Sequence, residues 1–215
     1  MASVKIGILA FQGAFEEHKR CLENAWDKLG SNATLDIIIV KRPNDLTDLD
    51  GLILPGGEST TMSKFLERNN FQKLISDLVK GHNGKLPVTW GTCAGLILLA
   101  NTIGGIDVTV NRNTYGRQNE SFEASLMLTN DELKGNNGIN GNIYHGVFIR
   151  APGIVSVDSN RVEVLAELTN IDHQVRPVAV RQGNLLATTF HPELTDDDRW
   201  HKYFLQMVLE RGIPH

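Results

Sequence analysis

The chain has 215 residues, a formal charge of -4, 41% apolar and 21% charged residues, enough to bury a full core as a single domain over residues 1–215. That acidic balance argues against a nucleic-acid partner or an anionic membrane held by bulk electrostatics, and no segment approaches the ~20 apolar residues of a membrane span. The two cysteines, Cys21 and Cys93, read as free thiols of a reducing compartment. Met1 to Lys5 leads into an apolar run too short for a signal sequence, so a cytoplasmic protein is expected.

Val4 to Ala10 is nearly continuous in apolar residues, as in a strand covered on both faces. After the turn Phe11-Gln12-Gly13-Ala14, Phe15 to Leu29 predicts a helix with Leu22, Ala25, Trp26 and Leu29 on one stripe. Asp36 to Val40 and Asp50 to Leu54 predict two further strands, joined through a short helical turn at Pro43. Pro55-Gly56-Gly57-Glu58-Ser59-Thr60-Thr61 follows directly; consecutive glycines let the backbone turn N–H groups toward a bound oxygen, and Ser59 or Thr60 can cap a helix running to about Arg68. Asn70 to Lys80 predicts another amphipathic helix.

The short apolar run after Pro87 reads as a strand and Leu96 to Ala100 as the start of a buried helix, with Gly91-Thr92-Cys93-Ala94-Gly95 between them. The pattern Gly-x-nucleophile-x-Gly sets a reactive side chain on a tight strand-to-helix turn, where the positive end of the helix dipole favours a thiolate. Beyond it, Ile106 to Val110, Ser121 to Leu128, Gly146 to Arg150, Val162 to Leu168, Gln174 to Arg181 and Leu185 to Phe190 predict closely spaced strands, hence antiparallel pairing. Asn130 to Asn142 reads as a surface loop or hairpin excursion, and Ala151-Pro152-Gly153 as a stop. A last helix from about Asp196 to Glu210 buries Trp200, Tyr203, Phe204, Met207 and Val208.

Phe190-His191-Pro192-Glu193-Leu194 closes the last strand. A histidine and a carboxylate two residues apart, stiffened by proline, can present an imidazole to a nucleophile and hold it in one tautomer, which gives a Cys93-His191-Glu193 triad. The other histidines, His18, His82, His145, His173, His201 and His215, read as surface or structural residues. Arg117 and Arg150 sit at loop and strand edges, where a guanidinium can grip a carboxylate at two points.

The set A-F-Q-G-A-F-x-E-H, P-G-G-E-S-T-T, G-T-C-A-G, Y-G-R-Q-x-x-S-F-E, F-I-R-A-P and F-H-P-E-L closely resembles the glutaminase subunits of pyridoxal 5'-phosphate synthase, within the class I glutamine amidotransferases. The likeness runs from Val4 to about Phe204. It implies a three-layer, flavodoxin-like α/β fold with a mixed, mainly parallel central sheet and an antiparallel extension. It also implies hydrolysis of L-glutamine to L-glutamate and ammonia, the ammonia passing to the synthase subunit as protein partner for vitamin B6 biosynthesis. Carried over, Cys93 is the nucleophile, completed by His191 and Glu193. Gly57, Glu58, Ser59, Arg117, Ile149 and Arg150 line the glutamine site, the Gly57 and Ala94 N–H groups form the oxyanion hole, and Gln12 lies in a loop facing the partner. No metal or organic cofactor is required. The Leu99 to Gly104 connection is shorter, and the Asn130 to Asn142 excursion longer, than the family pattern implies.

Overall fold

The computed structural model describes residues 3–68, 70–81, 86–112, 114, 121–135, 141–169 and 174–212. Strands β1 (Ser3–Leu9), β2 (Thr34–Val40), β3 (Gly51–Leu54) and β4 (Val88–Thr92) alternate with helices α1 (Phe15–Leu29), α2 (Ser59–Arg68) and α3 (Phe71–Val79). After β4, helix α4 (Ala94–Ile97) runs into a π-helical turn over Leu98–Ile103 that stops at Gly104, at φ 69°. Seven strands follow, β5 (Val108–Asn111), β6 (Ser121–Leu128), β7 (Ile143–Ile149), β8 (Gly153–Val157), β9 (Glu163–Thr169), β10 (Val175–Gln182) and β11 (Leu185–Thr188), before helix α5 (Arg199–Gly212).

Nine strands form one sheet in the order β2-β1-β3-β4-β11-β10-β9-β6-β7. The run β2-β1-β3-β4-β11 is parallel, and β10, β9, β6 and β7 extend it by antiparallel pairing. The expected mixed, mainly parallel sheet is therefore the observed one.

Alternation along the central strands divides the apolar residues between two cores. Ile53 of β3 and Val88 and Trp90 of β4 face one side with Leu22 and Ala25 of α1 and Trp200 and Phe204 of α5. Leu52 and Leu54 face the other side with Leu66 of α2, Phe71 and Ile75 of α3 and Leu96 of α4. Sheet faces covered by helices on both sides explain why these strands read as unbroken apolar runs rather than as alternating ones. Each large side chain fully withdrawn from water stabilises this arrangement by about 2 kcal/mol.

Three details differ from the sequence expectation. Gly153 starts β8 instead of ending the preceding strand, and β8 pairs with β5 in a separate two-stranded ribbon, so Val108–Asn111 does not join the main sheet. Strand β7 begins at Ile143, three residues earlier than Gly146. The described part of the Asn130 to Asn142 stretch is tied down: Leu133 is buried, and the Arg199 guanidinium donates to the carbonyls of Leu133, Gly141 and Ile143.

The turn between β4 and α4 is closely packed against backbone on both sides. A Cβ on Gly95 would overlap the Leu54 carbonyl oxygen, and one on Gly91 would come within 2.5 Å of the Gly95 carbonyl. Both obstacles are backbone, which has no rotamer to yield. Gly95→Ala is accordingly expected to cost about 3 kcal/mol or more in urea unfolding. A variant as stable as the parent would show that α4 can move off β3.

Candidate active site

The carboxyl ends of β1, β3, β4 and β11 open on one cleft, beside the β1/β3 boundary where strand order reverses, the usual ligand position in an open parallel sheet. The cleft has a volume of about 490 Å³ and is lined by Gln12, Gly57, Glu58, Ser59, Cys93, Ala94, Ile149, Arg150 and His191, among others. That volume suits a small metabolite.

Cys93 occupies the strand-to-helix turn at φ 49° and ψ -106°, a conformation an L-residue adopts only under constraint. Its N–H donates to the Thr188 carbonyl on β11 at 2.8 Å, and the flanking glycines let α4 close over the sheet. The side chain is held at the cleft floor, with Sγ 3.9 Å from the Ile149 carbonyl.

His191 follows β11, and its N–H donates to the Val147 carbonyl at 2.8 Å. The Nδ1 atom lies 2.7 Å from Glu193 Oε1. Pro192 starts a 3-10 turn over Pro192–Leu194 that brings the carboxylate back under the ring. Burial favours the neutral ring, yet hydrogen bonds to Cys93 and Glu193 outweigh it and raise the His191 pKa to about 10. Burial also opposes ionisation of Glu193, but the rings of His18 and His191 outweigh it and hold this carboxyl below its usual range. The site therefore keeps a buried carboxylate, a charged imidazole and a sulfur in sequence at neutral pH.

Above Cys93 stands the Gly56-Gly57 loop. The Gly56 N–H donates to Thr92 Oγ1 at 3.1 Å, and a Cβ on Gly56 would lie 3.3 Å from the Cys93 Cβ. Gly13, at φ 94°, presses against the Gly56 carbonyl so closely that a Cβ there would overlap it. The Gln12 Oε1 accepts from the Glu58 N–H at 3.3 Å, which couples the β1 loop to the β3 loop. Helix α2 is capped by Glu58, whose carboxylate accepts from the N–H groups of Thr60 and Thr61, and not by the hydroxyl of Ser59 or Thr60. These same bonds and the Thr61 hydroxyl lower the Glu58 pKa to about 2.

Every described residue assigned to the site by sequence lines this one cleft or, as Glu193, supports it from below. Arg117 lies outside the described residues. Arg150 reaches the rim at φ 44°. Arg112 was not singled out from sequence; it also lines the cleft and donates to Thr60 Oγ1 at 3.2 Å. Of the two readings open for His18 and His201, the structural one holds: both are fully buried, His18 against Glu193 and His201 against His18. The clue was present in α1, since His18 sits three and seven residues before Cys21 and Ala25 on the buried stripe.

The sequence model of the SNO glutamine amidotransferase family matches residues 8–210. The pyridoxal 5'-phosphate synthase subunits PdxT of Bacillus cereus strain AH187 and of Bacillus thuringiensis strain Al Hakam are each 46% identical to this chain over 96% of both sequences. A crystal structure of a glutamine amidotransferase superposes with a TM-score of 0.73 at 38% identity, covering 97% of this chain and 99% of the other. The PurLQS structure from Thermotoga maritima, at 18% identity and a TM-score of 0.69 over 98% of this chain and 99% of that one, shares the fold. With a family match across nearly the whole chain and a cysteine on its expected turn at the sheet edge, the protein belongs to the SNO glutamine amidotransferase family.

Proposed function

We propose that the chain is a glutaminase that hydrolyses L-glutamine to L-glutamate and ammonia through Cys93, His191 and Glu193, and delivers the ammonia to a pyridoxal 5'-phosphate synthase subunit for vitamin B6 biosynthesis. The observation that carries this reading is the convergence of a constrained cysteine, an imidazole locked to a buried carboxylate and a Gly-Gly loop on one cleft. The relatives at 46% identity support the pathway. The whole chain, residues 1–215, acts as one glutaminase domain, in the cytoplasm; among the described residues no helix is long and apolar enough to cross a membrane.

In this mechanism the Cys93 sulfur attacks the side-chain amide carbon of glutamine, and the charged His191 ring gives its proton to the leaving ammonia. A γ-glutamyl thioester remains. His191, now neutral, takes a proton from water, the resulting hydroxide adds to the thioester carbon, the C–S bond breaks to free the Cys93 sulfur beside the recharged ring, and the new carboxylic acid gives its proton to solvent or to the released ammonia as glutamate leaves. The N–H groups of Gly57 and Ala94 face the oxygen that becomes negative in both tetrahedral intermediates, a contribution of about 3 kcal/mol per donor. Glu58, Ser59 and Ile149 shape the slot, and Arg117 and Arg150 hold the substrate carboxylate. Gln12, bonded to the Glu58 N–H, places the oxyanion loop in reach of a docked partner.

The direct test is glutamate release by the purified chain, alone and with a synthase subunit. Strong stimulation is expected, and activity indifferent to the synthase would assign the chain to another ammonia acceptor. Cys93→Ala should remove glutamate release while leaving the melting temperature and synthase binding intact; retained hydrolysis would refute the nucleophile.

Cys21 is pushed up to about 11 by burial, whereas Cys93 faces the cleft. Iodoacetamide at pH 8 should therefore add one group per chain, at Cys93, and labelling of Cys21 first would contradict the assignment. Glu193→Gln removes the anion that raises the His191 pKa, so the basic limb of kcat/KM should move to lower pH. Its kcat should fall on the order of 10²-fold or more.

A further inference from the structure

Behind the triad lies a buried polar chain that the mechanism above does not use. His18, on α1, is fully buried, with Nε2 3.4 Å from Glu193 Oε2 and 3.3 Å from Thr92 Oγ1. Its Nδ1 lies 3.0 Å from Nε2 of His201, a fully buried residue of α5. Glu193 Oε2 is itself buried and accepts no well-formed hydrogen bond from the described residues, and His18 Nε2 lies beside it at 3.4 Å.

We propose that His18 is a positioning residue for glutamine hydrolysis: its Nε2–H faces the second oxygen of Glu193, and His201 holds it in that tautomer, so that the carboxylate stays fixed beneath His191. The inference rests on the triad reading given above.

Two tautomeric arrangements satisfy the contact between the rings, and they are not equivalent. In one, His201 Nε2–H donates to His18 Nδ1, His18 Nε2–H points toward Glu193 and Thr92, and His201 Nδ1 is a bare lone pair. In the other, His18 Nδ1–H donates to His201 Nε2, which strands an N–H on His201 Nδ1, an atom with no partner, and turns the His18 Nε2 lone pair toward a carboxylate oxygen. The second combines an orphaned buried donor with two facing lone-pair atoms, one of them anionic, and both features are unfavourable. The first leaves the Thr92 hydroxyl, which then accepts from both Gly56 and His18, with its own proton unused among the described contacts, but it removes the lone pair that faces the anion, and that is the larger of the two costs. Burial lowers the pKa of both rings, that of His201 well below its usual value, which favours the neutral pair, and any positive charge that His18 carries acts on Glu193 in the same sense as its N–H.

The surroundings fit this role. Cys21, one turn along α1, directs its thiol at the Glu193 carbonyl from 3.7 Å, so one helix face holds both the main chain and the side chain of the acid. Through Thr92, which accepts the Gly56 N–H at 3.1 Å, the same His18 nitrogen also touches the residue that anchors the oxyanion loop. A charged group whose second oxygen is braced loses one degree of motion, and that orientation is what His191 depends on.

The test compares two amides at position 18 in the chain complexed with its synthase subunit. The side-chain nitrogen of His18→Gln reaches the place of ring Nε2, whereas that of His18→Asn reaches only the place of Nδ1. We expect His18→Asn to lower kcat roughly tenfold with KM within about twofold of the parent, and His18→Gln to recover most of the loss. In a Glu193→Gln background, His18→Asn should cost nothing further, because the group it acts through is gone. His201→Met, which releases the tautomer without touching Glu193, should lower kcat several-fold at constant KM and keeps the test open if His18→Asn does not fold.

Equal kcat in His18→Asn and His18→Gln, an undiminished loss in the Glu193→Gln background, or a parental kcat in His201→Met would overturn the proposal. If Glu193→Gln alone leaves kcat unchanged, the triad reading fails and this inference fails with it. A collapse in Glu193→Gln beside a silent His18→Asn would leave the triad standing and remove only the brace.

Discussion

The backbone of Cys93 is the constraint on which the rest of the site depends. At φ 49° and ψ -106° it turns the chain from β4 into α4 within one residue, and no L-residue holds that conformation unless its neighbours impose it. They do so in three ways. The Cys93 N–H is tied to β11, Gly91 and Gly95 remove the side chains that would keep strand and helix apart, and Leu54 presents its carbonyl to the face left bare by Gly95. The sheet thus supplies the strain energy, and the result is a sulfur at the head of a helix with His191 within reach.

The opposite end of the triad poses a different physical problem, a carboxylate taken almost wholly out of water. Glu193 is 1% exposed, and an unpaired charge at such a depth is strongly disfavoured. Its ionised state is sustained from two sides, by His191 at 2.7 Å and by His18 at 3.4 Å. The arrangement links opposite parts of the fold: α1 contributes His18 and Cys21, α5 contributes His201, and the segment after β11 contributes both members of the His-Glu pair. Packing of α1 against α5 beneath the sheet therefore forms the wall behind Glu193 as well as part of the core.

Much of this was legible in the chain because it is local. Gly91 and Gly95 bracket Cys93 within five residues, and Pro192 separates His191 from Glu193, so turn geometry and side-chain order could be read together. The parallel half of the sheet announced itself through apolar runs separated by helical stripes. Pairing across long separations did not. Strand β8 begins at Gly153, directly after Pro152 in a segment that reads as a stop, and its partner β5 lies more than forty residues earlier. The π-helical turn after α4 has no cue in its apolar composition, since Leu98, Leu99 and Ile103 would suit an α-helix equally well. His18 and His201 are 183 residues apart in sequence, and only the fold reveals that they share a wall with Glu193.

The central claim is that Cys93 attacks the side-chain carbonyl of glutamine, and one measurement addresses it most directly: covalent labelling by a diazoketone analogue of L-glutamine, located by peptide mass spectrometry in the complex with the synthase subunit. A single adduct on Cys93, suppressed by excess L-glutamine and absent from Cys93→Ala, is the predicted result. An adduct on any other residue, or an unlabelled Cys93 in a complex that is turning glutamine over, would contradict the account.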